Sequence, residues 1–215
     1  MESSQYVVFR ARLCACTSSY LRLLFILSAA TLGVPSAPVP RKARDLSFFE
    51  PSGKVISFST FRGKVVVLEF FFVRSMNCVR VAQTLNKLND ELGPRGFQAL
   101  AVAFTAPGAE ADAATVLDFV ESYRIAFPAG YTEKEQVDRF VGRNRADVSV
   151  NIPQVVIIDR AGMIRAQSGD RPGDPRLEDG DSLRVLLDGL LKEIPKSMPA
   201  KQPSPPGSGK MNATK

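Results

Sequence analysis

Cys78 stands where an almost unbroken apolar run, residues 65–73 (VVVLEFFFV), gives way to a segment with helical spacing. That position puts the thiol in a first helical turn, where the backbone amide dipoles stabilise a thiolate and lower its pKa. The same residue reads equally as a small apolar member of the core, because free cysteine is among the most buried residue types. Ser75, three residues earlier, is of the type that caps a helix N-terminus, and its hydroxyl would then meet the amide of Cys78. A serine cannot replace a second thiol, since it neither ionises at neutral pH nor forms a disulfide. Glu69 is the single polar interruption of the apolar run. Desolvation on such a strand raises a carboxyl pKa towards neutrality, the condition for a general base. The alternatives for Glu69 are an ion pair with a lysine or arginine, or a place at a solvent-facing strand end.

The elements that must hold these groups follow from periodicity. Residues 65–73 predict a central parallel strand covered on both faces, within a stretch reading as strand from 64. Val79, Ala82, Leu85, Leu88 and Leu92 recur at three- and four-residue spacing, which predicts a helix from Cys78 to Leu92 stopped by Gly93-Pro94. A hairpin is expected at 45–57 and a second strand at 97–104. Helices follow at 109–123, with Val116, Phe119, Val120 and Tyr123 inward, and at 133–141. Strands at 155–159 and 163–167 flank an Arg160-Ala-Gly162 turn, and a last helix at 182–194 turns Leu183, Leu186, Leu187, Leu190 and Ile194 inward. Residues 143–150 and 170–180 read as loops, the latter from its Pro, Gly and Asp content. The fold class is α/β, a central mixed β-sheet flanked by helices, with an N-terminal hairpin extension.

The 215 residues suit one domain with tails. Arg10, Arg12 and Arg22 precede an apolar stretch at 23–34 that is short for a membrane span and bounded by small residues and prolines, so 1–37 reads as a signal peptide. Pro38 is a poor residue to follow a cleavage site, and the alternative is an uncleaved anchor through residues 21–34. Residues 38–44 are then a linker, 45–194 the domain, and 195–215 a Pro/Ser/Lys tail unable to bury a core. Net charge is +6 and the pI about 9.4. Setting aside three basic residues and one acidic residue of 1–37 and four lysines of 195–215 leaves 21 charges of each sign in 38–194. A neutral domain leaves nucleic-acid binding through a basic face unsupported. Cys14 and Cys16 precede the apolar stretch and leave with a cleaved signal, which makes Cys78 the one remaining thiol and rules out an internal disulfide. With no histidine in the chain there is no complete metal-ligand set. Neither metal nor cofactor is expected.

A strand, a short turn and a helix with cysteine chemistry at the turn resemble the thioredoxin fold. The stretch GKVVVLEFFFVRSMNCVRVAQTL is similar to the exported thioredoxin-like group of the TlpA/ResA or redoxin type, related to AhpC/TSA proteins. Its lead-in, DLSFFEPSGKVISFSTFRGK, and a later segment, NIPQVVIIDRAGMI, resemble that group too. The strand, helix, strand and terminal hairpin-helix order is also that of thioredoxin. Laid without gaps, Cys78 falls on the family's second cysteine and Ser75 on its first, leaving SxxC in place of CxxC. The resemblance implies that Glu69 is the buried acid exchanging protons with Cys78, and that Pro153 is the cis-proline facing the thiol site. There the backbone pairs with an extended peptide. It implies a substrate-binding surface of Ile152, Pro153, Arg74, Met76 and Asn77, and a partner that is a thiol or disulfide protein. The chain is then expected to be exported, periplasmic or anchored facing that space, and to act as a monothiol thiol–disulfide oxidoreductase in cell redox homeostasis.

Two further readings stay open. Ser75-x-x-Cys78 fits half of a peroxiredoxin-like Pro-x-x-x-Thr-x-x-Cys motif, which implies a thiol peroxidase acting on a peroxide with a low-molecular-weight thiol. Phe71 stands where that motif has proline, Pro153 stands where its arginine aligns, and Arg74 is the substitute donor. The last reading is a redoxin-fold scaffold without redox cycling, whose groove binds a peptide, a thiol protein or another subunit.

Overall fold

The computed structural model describes residues 37–106, 108–143, 151–168 and 175–193. The readings of 1–36, Ile194 and 195–215, and most of the 143–150 loop, lie outside these residues. The core strand is β4, Val65–Phe71, buried at every position. It pairs in parallel with β5, Phe97–Phe104, and antiparallel with β7, Gln154–Ile158. β7 in turn pairs antiparallel with β8, Met163–Gln167. β6, Ala129–Thr132, runs parallel to β5. The hairpin of β2, Ser47–Phe49, and β3, Val55–Ser57, adds antiparallel to β6. β1, Arg41–Lys42, closes the other edge against β8, so a strand occupies part of the stretch read as linker. One mixed sheet results, in the order β1-β8-β7-β4-β5-β6-β2-β3.

Helices cover both faces, which is why β4 and β5 carry no exposed side. On one face lie α1, Met76–Leu92, α2, Ala113–Tyr123, α4, Pro175–Glu178, and α5, Gly180–Lys192. On the other, α3, Lys134–Val141, packs with Phe48, Phe58 and Phe61 of the hairpin region. Side-chain caps start α2 and α5: Asp112 accepts from the amide of Thr115 at 2.8 Å, and Asp179 from that of Ser182 at 2.9 Å.

Three expectations change in the fold. The 170–180 stretch is not all loop, because Leu177 finds a place in the core and Pro175–Glu178 winds into a short helix. Leu186 is 40% exposed, since Leu183, Leu187, Leu190 and Leu191 form the inward stripe of α5. β6 has too short an apolar signal to read from sequence and forms because β5 and β2 flank it.

Candidate active site

Glu69 reaches the site through the alternation of β4. Val65, Val67 and Phe71 pack in the layer that also holds Cys78, whereas Val66, Leu68 and Phe70 pack in the opposite one. Glu69 has the parity of the first set, so its carboxyl enters the layer beneath α1. Its cross-strand neighbours there are Ala101 and Val155, both apolar and fully buried. Neither carboxyl oxygen finds a hydrogen-bond partner among the described residues. The ion-pair and solvent-facing alternatives are thus not what the fold adopts. Burial, and after it the negative charge of Glu178, hold the Glu69 carboxyl well above the usual carboxylate range.

Cys78 is buried in the first turn of α1. Ser75 caps that helix, its Oγ accepting from the Cys78 amide at 3.5 Å. Burial first, and then the Glu69 charge, push the thiol up to about 12, with Glu178 adding in the same direction. Hydrogen bonds from Ser75 and from the Phe72 backbone act to lower it and are outweighed. The expected lowered thiol pKa is therefore corrected: helix-start amides do not offset burial together with the charge of Glu69.

The Ile152–Pro153 bond is cis, and Pro153 is buried at the start of β7. Registration of β7 on β4 puts Gln154 opposite Phe70 and Val155 opposite Glu69, which brings Pro153 to the end of β4 where the thiol turn begins. Ser168 fixes this corner, its Oγ accepting from the Val155 amide at 2.9 Å and its carbonyl from Gln154 Nε2 at 2.7 Å. Ile152 is half-buried against both layers. Met76 and Asn77 are exposed on the rim, and Asn77 Oδ1 accepts from Arg80 at 2.5 Å. Arg74 is exposed and lines a cleft of about 650 Å³ together with Thr105, Glu110, Glu133 and Lys134. Its guanidinium makes no hydrogen bond or ion pair among the described residues, so it is not a donor to the thiol here.

The structure thus gathers Glu69, Ser75 and Cys78, sets Ile152 and Pro153 at the adjoining strand end, and leaves Arg74, Met76 and Asn77 on the rim. Glu178 is the group that sequence reasoning missed. The signal was Leu177, one large apolar residue within a Pro/Gly/Asp-rich stretch. Among the described residues no cluster of three or more His, Cys, Asp or Glu could hold a metal ion, and no helix is long and apolar enough to cross a membrane.

No curated protein matches the chain. Among solved structures, it is similar to a thiol:disulfide interchange protein of the thioredoxin family from Chlorobium tepidum TLS, at 18% identity and a TM-score of 0.58, over 72% of this chain and 99% of that one. It is similar to the thioredoxin domain of a thiol-disulfide oxidoreductase from Bacteroides vulgatus, at 18% identity and a TM-score of 0.55, over 71% and 99%. A thiol:disulfide interchange protein from Bacteroides sp. gives 18% and 0.57, over 74% and 93%. The sheet and its flanking helices are those of a thioredoxin-like fold. The model of the AhpC/TSA family matches residues 39–167, from the first strand of the sheet to the end of β8. With that match over more than half its length, the chain belongs to the AhpC/TSA family.

Proposed function

We propose that this protein is an exported thiol–disulfide oxidoreductase of the TlpA/ResA type that works through the single thiol of Cys78. The observation that carries this reading is the Glu69 carboxyl, fully buried and unpartnered in the layer that holds the thiol. A buried polar group without a partner costs about 1–3 kcal/mol, which an apolar side chain at the same place would not. Perturbed groups of this kind gather where protons are moved. At rest burial opposes the ionisation of both Glu69 and Cys78. When the first turn of α1 opens, Glu69, ionised by the entering water, takes the proton of the thiol as a carboxylate. The sulfur then attacks one sulfur of a substrate disulfide, that S–S bond breaks, and a mixed disulfide to Cys78 forms as the other sulfur leaves as a thiolate. A second thiol, from the substrate or a small molecule, attacks the mixed disulfide and returns Cys78 to its reduced form.

A redoxin-fold binding protein is the second reading, favoured by the burial of Cys78. Thiol peroxidase activity is less well served, because Phe71 is buried in β4 where the peroxidatic motif has proline. Trapping decides between them. The full-length protein, expressed with its leader and quenched in acid, should carry partners in disulfide linkage that a Cys78→Ala variant lacks. Partners held equally by the variant would favour the binding reading. Export is tested in the same cells by fractionation, and a soluble cytosolic full-length chain would defeat it.

A further inference from the structure

The turn that leads into Ser75 and Cys78 forms one wall of the cleft of about 650 Å³, and exchange at Cys78 gives that cleft no occupant. It opens where three parallel strands end together: Val73 and Arg74 follow β4, Thr105 follows β5 and Glu133 follows β6. The crevice outside the carboxyl ends of parallel strands is where α/β sheets hold ligands, and roughly 300–1,000 Å³ is the size that small molecules fill. The rim is fixed by its own hydroxyls. Thr105 Oγ accepts from the Ala111 amide at 3.2 Å and donates to the Ala111 carbonyl at 3.3 Å. Thr115 Oγ accepts from the Asp112 amide at 3.0 Å at the start of α2. At the start of α3, Lys134 is paired with Asp138 at 2.6 Å. Other charged groups are left over: the side chains of Arg74, Glu110, Glu133 and Glu135 line the cleft and make no hydrogen bond or ion pair among the described residues. β5 lies between β4 and β6, so Arg74 and Glu133 leave strands about 10 Å apart.

Opposite charges that line one cleft without meeting leave a gap that a ligand carrying both signs closes. An amino-acid group is such a ligand, with ammonium and carboxylate on one carbon. A residue inside a protein chain has neither, whereas a residue linked through its side-chain carboxyl keeps both. The sulfur is within reach of the same molecule: Arg74 precedes Cys78 by four residues, so their Cα atoms lie within about 14 Å, a span that a peptide of two or three residues covers. We propose that the cleft binds the amino-acid group of a small side-chain-linked peptide thiol, and that this thiol resolves the mixed disulfide at Cys78. Arg74 takes the carboxylate, and Glu133 and Glu135 the ammonium. The small thiolate attacks the Cys78 sulfur, the bond to the substrate sulfur breaks, and the substrate leaves as a thiolate that takes a proton. A second small thiolate then attacks the small-molecule sulfur of the new disulfide. Cys78 leaves as a thiolate and is protonated, and the two small thiols, oxidised by two electrons, depart as one disulfide. This inference rests on the exchange reading above and names the thiol which that reading needs.

S-methylglutathione, whose sulfur cannot exchange, tests the cleft by calorimetry on the full-length chain at low ionic strength. It should bind, and N-acetylation of the ligand, Arg74→Ala, or Glu133→Gln combined with Glu135→Gln should each weaken binding at least fivefold. Glu121→Gln, which removes an exposed carboxylate of α2 outside the cleft, should leave it unchanged. The altered side chains are exposed and unbonded, so the variants keep the fold, checked by an unchanged urea midpoint. The second measurement follows the Cys78 adduct by mass with glutathione disulfide and with 2-hydroxyethyl disulfide, which lacks the amino-acid group. The rate ratio of the first to the second should fall at least fivefold in Arg74→Ala. No binding of S-methylglutathione, or binding that none of the cleft substitutions alters, overturns the proposal. Adducts from both disulfides in a ratio that Arg74→Ala leaves unchanged overturn it and leave the exchange reading standing. Binding with the expected dependence but no adduct from either disulfide defeats the exchange reading and the resolving role, and upholds the ligand class of the cleft.

Discussion

At the scale of single residues, the chemistry rests on a thiol and a carboxyl that oppose each other's ionisation in a dry layer. With the thiol pushed up to about 12, only about one molecule in 10⁵ holds a thiolate at pH 7, against a few in a hundred for an ordinary cysteine, so alkylation of Cys78 should run roughly a thousandfold slower than that of a free cysteine peptide. Its rate should climb with pH up to about 12. Glu69→Gln should lower the apparent thiol pKa by removing a negative charge, but only in part, because burial is the larger cause and survives the change. A pH–alkylation profile that Glu69→Gln leaves in place would separate the two groups. Ser75→Cys should give a pair with Cys78 that oxidises reversibly, seen as loss of free thiol under mild oxidant and its return with reductant. A cysteine at 75 that never pairs would mean that the cap residue does not hold the position of the family's first cysteine. Ser75 as cap and Glu69 as buried acid were legible, because one depends on three residues and the other on a single polar letter in an apolar run. The direction of the thiol shift was not, since burial, its largest cause, depends on which distant segments pack over Cys78.

Among the elements, those with a strong period were readable and those recruited by neighbours were not. β4 and α1 announce themselves by an apolar run and a three-four repeat. β6 holds only Ala129-Gly-Tyr-Thr132, and its place comes from β5 on one side and the hairpin on the other. Gly130 shows how tightly it is held: a Cβ there would lie 2.3 Å from the Phe49 carbonyl oxygen, a backbone atom that cannot swing aside. Gly130→Ala should therefore destabilise the domain by about 2–4 kcal/mol, measured by chemical denaturation, through the strain of moving β2 away from β6. A loss below about 0.5 kcal/mol would show that the hairpin adjusts freely. Leu186 illustrates the opposite error. Its spacing fits an inward stripe about as well as that of Leu187, and the crossing of α5 over the sheet picks Leu183, Leu187, Leu190 and Leu191 instead.

For the molecule as a whole, the same buried pair sets how stability changes with pH. Glu69 has a raised folded pKa, so its share of stability is fully present below the unfolded value near 4.5 and is lost as pH rises through the folded value. Cys78 adds a second loss above 9, its ordinary value. The helix caps work in the other direction: hydrogen bonds from Thr115 and Ser182 lower the Asp112 and Asp179 pKa values, so their contribution is lost as pH falls below 3.8. Stability should peak in mild acid. Glu69→Gln should raise stability at pH 8 by about 1–3 kcal/mol and change it little at pH 4, read from urea titrations at the two pH values. An equal effect at both would mean that Glu69 is charged in neither case or is solvated. The order of amino acids by itself determined the mixed sheet, the capped helix start with Cys78 in its first turn, the family resemblance and the neutral domain between charged ends, because each follows from composition or from neighbours within a few residues. Only the tertiary structure decided that Cys78 is a buried thiol whose ionisation is opposed by its surroundings and by Glu69. Desolvation and charge proximity depend on which distant segments close onto one layer, and the segment that closes this one, Pro175–Glu178, becomes a helix only when Leu177 reaches the core.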